Sequence, residues 1–196
     1  MIFGRKDFIK IYDNTLSSSK CCKIIEFINS QNLCRGKLRN GVIDLYRKNI
    51  WEVDNNSSLS NETEVDQYLV EPLVENIILY RNEYPGIDGI SLWDLGNYYN
   101  LQKCEPGQGY YEEHCGDDAP EYDRVLEWTL YLNTVTDKGG TYYTDYNKTI
   151  KAKEGRLVLC PPYWTHRHRG IVSNTQTAYT ATGWFFYKNN SIVKGS

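Results

Sequence analysis

The chain carries three histidines, His114, His166 and His168. His114 lies in EPGQGYYEEHCGDD, residues 105–118, and the other two lie in PPYWTHRHRG, residues 161–170. Two well-separated segments rich in strand-forming residues therefore each offer an imidazole. Neutral imidazole suits iron, zinc, copper or nickel. Two histidines plus a carboxylate on one side of an ion, with open positions opposite, form the ligand set of non-haem Fe(II) oxygenases. The competing reading is a set of unrelated structural imidazoles, hydrogen-bonded in a wall or at the surface.

Imidazoles so far apart in sequence must be assembled by the fold. Residues 14–32, NTLSSSKCCKIIEFINSQN, start with capping-type side chains and space Cys21, Ile24, Ile25 and Ile28 as one face of an amphipathic helix. Residues 41–53 read as a short strand or loop, and DNNSSLSNET, residues 54–63, as a surface loop. Val65, Tyr68, Leu69, Leu73, Ile77 and Ile78 predict a long helix over about 62–84, kinked at Pro72 and ended by Tyr84-Pro85-Gly86. After Gly89, short runs of Tyr, Trp, Val, Ile and Thr alternate with Gly, Pro, Asn and Asp clusters. They predict strands over about 91–103, 110–115, 124–132, 141–143, 156–160, 167–172 and 178–187. Helices first and strands afterwards favour an antiparallel double sheet with the helices packed outside one face.

Several fragments share an order and spacing: QKCEPGQGYYEEH (102–114), RVLEWTLYLN (124–133), Gly139-Gly140, EGRLVLCPPYWTHRHRG (154–170) and TGW (182–184). Through them, residues 102–184 resemble the Fe(II)- and 2-oxoglutarate-dependent dioxygenases of the prolyl 4-hydroxylase type, including small versions common in phages and marine microbes. The resemblance implies a double-stranded β-helix, a cupin-like jelly roll. One domain would then span residues 1–196, with 1–88 a helical support region and 89–187 the jelly-roll core. It also implies Fe(II) held by His114 and His168, with His166 as a spare, and 2-oxoglutarate as cosubstrate in a hydroxylation driven by O₂.

Two positions depart from that pattern. The family places Asp or Glu two residues after the first histidine, because residues i and i+2 of a strand share a face. Gly116 stands there. Asp117, one residue later, would reach the metal through a bulge of the kind found beside active sites, and Glu112 lies two residues before His114. Water or halide at an open position is the alternative. The second departure concerns the cosubstrate: where the family has a Lys or Arg for its far carboxylate, the chain has Ala178. Trp184 keeps its place, Cys104 stands where related hydroxylases have a Tyr, and Tyr131 retains the other Tyr. Ala178, Thr180 and Thr182 leave that wall small.

Counting back from Tyr131 by even steps puts Glu127 on the same inward face. Its bland reading is an exposed charge on an edge strand. Two anions close together in a low dielectric repel unless a proton or cation intervenes. A pocket without the cation at 178 and with Glu127 inside thus disfavours ordinary 2-oxoglutarate binding, unless Arg124, Arg156, Arg167 or Arg169 substitutes. Tyr131, Ala178, Thr180 and Trp184 are the expected cosubstrate residues, and Cys104, Gly116 and Glu127 line the same pocket.

Composition narrows the functional classes. A formal charge of −3 over 196 residues supplies no broad basic field, which disfavours nucleic acid as a partner. No run of about 20 apolar residues offers a membrane span. The six cysteines lack zinc-type CxxC pairs and read as thiols. The opening residues reach charge before any apolar stretch of signal length, so cytoplasmic residence is the expectation. The leading functional expectation is a non-haem iron oxygenase that oxidises a small-molecule or peptidyl substrate. The alternatives are a catalytically silent jelly-roll binding module and a halogenase-like enzyme with an open metal position beside Gly116.

Overall fold

The computed structural model describes residues 6–38, 40–53, 57–58, 63–116 and 123–188. Two helices support the fold: α1 (Ser18–Ser30) and α2 (Glu64–Glu83). Helix α1 starts at Ser17, whose hydroxyl accepts from the Lys20 amide, and it buries Cys21, Ile24 and Ile28. Helix α2 starts with a reciprocal capping box. The Thr63 hydroxyl accepts from the Asp66 amide and the Asp66 carboxylate accepts from the Thr63 amide, both at 3.1 Å, which satisfies two otherwise orphaned donors. The helix runs through Pro72, which is buried.

Thirteen strands are described, all pairing antiparallel. Five precede α2: β1 (Lys10–Tyr12), β2 (Leu33–Arg35), β3 (Lys48–Asn49), β4 (Trp51–Val53) and β5 (Ser57–Ser58). Region 1–88 therefore contributes strands as well as helices, because short segments without visible alternation are pulled into extended form by the sheet they join. The rest are β6 (Trp93–Cys104), β7 (Gly109–Tyr110), β8 (Arg124–Tyr131), β9 (Gly140–Tyr143), β10 (Lys148–Lys151), β11 (Arg156–Cys160), β12 (His168–Ile171) and β13 (Ala178–Tyr187). The large sheet runs β1-β11-β8-β13-β6-β4-β2 with β5 on β6. A smaller one runs β10-β9-β12, and β3 pairs with β7. This is the mainly β jelly roll with helices that the sequence predicts.

Alternation along β8 separates the core from the cavity. Leu126, Trp128 and Leu130 are buried with Ile24, Ile28, Leu69 and Leu73 of the helices, while Glu127, Thr129 and Tyr131 line a cavity on the other side. Tight packing leaves no room for a side chain at Gly183, where a Cβ would meet the Trp128 ring at 2.6 Å. None of the six cysteines is joined in a disulfide.

Candidate metal centre and cosubstrate pocket

A cavity of about 340 Å³ is walled by the inner face of β6, β8 and β13 on one side and by β7, β9 and β12 on the other. His114 and His168 both line it. They are joined as an antiparallel bridge, the His114 amide donating to the His168 carbonyl at 3.0 Å and the reverse bond measuring 2.8 Å. Their ring centroids are 4.5 Å apart.

Each ring also makes the same local contact. His114 Nδ1 lies 2.9 Å from the Glu112 carbonyl, and His168 Nδ1 lies 3.0 Å from the His166 carbonyl. A carbonyl only accepts, so both Nδ1 atoms carry a proton, which makes Nε2 the atom that holds the lone pair of a neutral ring, the arrangement by which proteins orient a metal-binding imidazole. Burial and the neighbouring His168 hold His114 well below the usual imidazole range, so this ring is neutral. Tyr110 stacks on it, nearly parallel, at 3.7 Å. His166 is different. It is buried, with Nε2 2.8 Å from the Asp7 carbonyl and Nδ1 2.9 Å from the Thr165 hydroxyl, so both ring nitrogens are already engaged.

Gly116 lies beside the pair, and Asp117 falls outside the described residues. Glu112 forms a two-pronged ion pair with Arg47. The carboxylate that meets the imidazoles belongs to Glu127, whose Oε1 is 3.9 Å from His168 Nε2. β8 lies between β11 and β13, and Glu127 is 6% exposed, so it is not an edge-strand surface charge. A Cβ added at Gly116 would meet Glu127 Oε2 at 2.4 Å. Glu127 thus occupies the space into which a side chain at position 116 would point. Among the described residues no three ligating groups are already closed around one point. Two ligands bonded at about 2.1 Å on one side of an ion stand roughly 3.0 Å apart, so a shared ion requires Glu127 and His168 to draw together by about 1 Å.

Tyr131, Thr141, Ala178 and Thr180 give the far wall an inner face without a charged side chain of its own. The Tyr131 hydroxyl pairs with the Thr141 hydroxyl at 2.6 Å, and burial pushes the phenol up to about 12. Ala178 stands opposite Cys104, and Thr180 opposite Gln102. Burial likewise raises the Cys104 thiol to about 12. Trp184 lines the cavity and carries the Arg124 guanidinium 3.9 Å above its ring, while Arg124 also donates to the Gly116 carbonyl. The other arginines point elsewhere: Arg156 pairs with Asp13, Arg167 with Asp145, and Arg169 lies over Tyr142.

A polar chain that no sequence pattern marks also runs beside the cavity. Lys48 Nζ donates to Glu52 Oε1 at 3.0 Å, Gln102 donates to the same oxygen at 3.0 Å, and Thr180 donates to Gln102 at 3.2 Å. β3 and β4, which carry Lys48 and Glu52, are two and three residues long. Such lengths show no alternation from which an inward face can be read.

No known family profile matches the chain. The chain is 24% identical over 197 residues to a curated protein of Acanthamoeba polyphaga mimivirus named "Putative prolyl 4-hydroxylase", covering 89% of this chain and 72% of that protein. Solved structures share the fold. The viral collagen prolyl hydroxylase of Paramecium bursaria Chlorella virus-1, solved with 2-oxoglutarate, aligns with a TM-score of 0.62 at 18% identity, over 95% of this chain and 98% of that one. A Trichoplax adhaerens prolyl hydroxylase, solved with a peptide of the hypoxia inducible factor oxygen degradation domain, aligns with a TM-score of 0.76 at 18% identity, over 97% and 89%. A Pseudomonas putida prolyl-4-hydroxylase aligns with a TM-score of 0.65 at 16% identity, over 94% and 95%. The resemblance read from the motifs therefore extends to the whole fold: the chain is similar to prolyl hydroxylases.

Proposed function

We propose that the protein is an Fe(II)- and 2-oxoglutarate-dependent oxygenase that hydroxylates an organic or peptidyl substrate. The observation that carries this reading is the bridged pair of His114 and His168, each with Nδ1–H fastened to a backbone carbonyl and Nε2 left as a donor inside one cavity. When bound, iron supplies the O₂ activation that couples oxidative decarboxylation of 2-oxoglutarate to hydroxylation of a C–H bond.

The chain's own groups bind and orient around that pair. The Tyr131–Thr141 hydroxyl pair has one proton to spare for a cosubstrate carboxylate, Thr180 offers its hydroxyl once its bond to Gln102 is exchanged, and Trp184 bounds the same wall. With Ala178 in place of a cation, these neutral donors hold the far carboxylate more weakly than a charged one would. A peptidyl substrate is supported by the Trichoplax relative's peptide complex.

Anaerobic titration tests the reading. Fe(II) followed by 2-oxoglutarate should give the weak visible charge-transfer band of a chelated cosubstrate, and air should then release succinate. His168→Ala should abolish both. A band and succinate yield untouched by that substitution, or no metal binding at all, would overturn the proposal.

A further inference from the structure

Resting on that reading, we infer that the metal's carboxylate ligand is Glu127, delivered from β8 across the cavity into the space left by Gly116. Two independent distances support this. Glu127 Oε1 is 3.9 Å from His168 Nε2, and a Cβ at Gly116 would meet Glu127 Oε2 at 2.4 Å. A ligand two residues after His114 and the Glu127 carboxylate would therefore compete for one place, and in this chain the glycine leaves it to the glutamate. Glu127 is buried on the cavity face of an interior strand. A negative ligand there also leaves no coordination place beside Gly116 for a halide.

Cobalt(II) titration of the purified protein, followed by its visible absorption and requiring no turnover, tests the assignment. Glu127→Gln keeps the side chain's size and should weaken Co(II) binding roughly 100-fold, the upper end of what loss of a ligand's supporting group costs, while the melting temperature of the metal-free protein stays near the parent's. His168→Ala should abolish binding. If Glu127→Gln binds Co(II) like the parent while His168→Ala does not, the carboxylate comes from elsewhere and this inference falls while the oxygenase reading stands. If neither substitution changes binding, both fall. Should the glutamine variant fail to fold, Gly116→Ala takes its place: the added methyl displaces the Glu127 carboxylate without removing any donor, so weaker Co(II) binding supports the assignment and unchanged binding overturns it.

Discussion

His114 and His168 exchange both backbone hydrogen bonds of an antiparallel bridge, although 53 residues of chain separate them. The pair is thus positioned by main chain, and each ring's rotation is set by its Nδ1 contact two residues back. For His114 a second constraint is the Tyr110 ring stacked at 3.7 Å. Aromatic pairs contribute about 0.5–1.5 kcal/mol beyond area burial. Tyr110→Ala should accordingly weaken Co(II) or Mn(II) binding roughly 2- to 10-fold with the absorption maximum nearly unchanged. An unaltered affinity would mean the backbone contact alone holds the ring.

The neutral wall around Ala178 makes its own prediction. A hydrogen bond to a charged partner contributes about 1.5–3 kcal/mol, so Ala178→Lys should tighten 2-oxoglutarate binding by roughly tenfold or more, read from the charge-transfer band against cosubstrate concentration. Identical affinities would show that the far carboxylate lies away from position 178.

Asp66 joins the support helix to the sheet. It closes the α2 capping box and accepts the buried Tyr99 hydroxyl of β6 at 2.7 Å. Losing a cap costs about 1 kcal/mol, and depriving a buried hydroxyl of its acceptor costs about 1–3 kcal/mol. Asp66→Ala should destabilise the protein by roughly 2–4 kcal/mol in urea unfolding, and Tyr99→Phe by less. Equal effects from both would show that the cap contributes nothing.

Asp137 organises the loop that follows β12, accepting from the Ser173 hydroxyl at 2.6 Å, from the Asn174 and Thr175 amides at 3.0 Å, and from the Thr175 hydroxyl at 2.8 Å. These bonds, that of Ser173 foremost, hold its pKa at about 2. The unfolded chain takes up the same proton near the ordinary Asp value of about 3.9. Between those values the unfolded state binds more protons, so stability rises with pH: the contribution is complete above about pH 4 and disappears as pH falls toward 2. Chemical denaturation from pH 5 to 2 should show a shallower acid loss in Asp137→Asn than in the parent. Parallel curves would rule out this linkage.

Thiol reactivity should follow burial. Cys22 is exposed, whereas Cys21 and Cys160 are buried, and burial raises both thiols, Cys21 to about 11. Native protein treated with a disulfide reagent at pH 8 should label Cys22 quickly, and Cys21 and Cys160 only after denaturant is added. Rapid native labelling of Cys160 would show that the wall behind Tyr143 opens.

The two helices and the long strands after them are legible because periodicity is local: Ile24 and Ile28 mark the inner face of α1, and the even steps from Tyr131 to Glu127 mark the inner face of β8. The imidazole pair is legible because histidine is scarce and both sit in strand-like segments. β1, β2 and β10 escape such reading, since three or four residues carry too little alternation and their extended form is imposed by the partners they join.

Residue types and their spacing along the chain therefore pointed to an antiparallel double sheet with support helices and to two candidate ligating histidines, while the resemblance of the motifs implied the jelly-roll class and the missing carboxylate at Gly116. Which carboxylate stands nearest His168 was decided by folding, because Glu127 and His168 belong to different sheets and meet only when those sheets close over one cavity. A strand's own pattern tells which way a side chain points, but the distance it must cross depends on how far away the opposite sheet is packed.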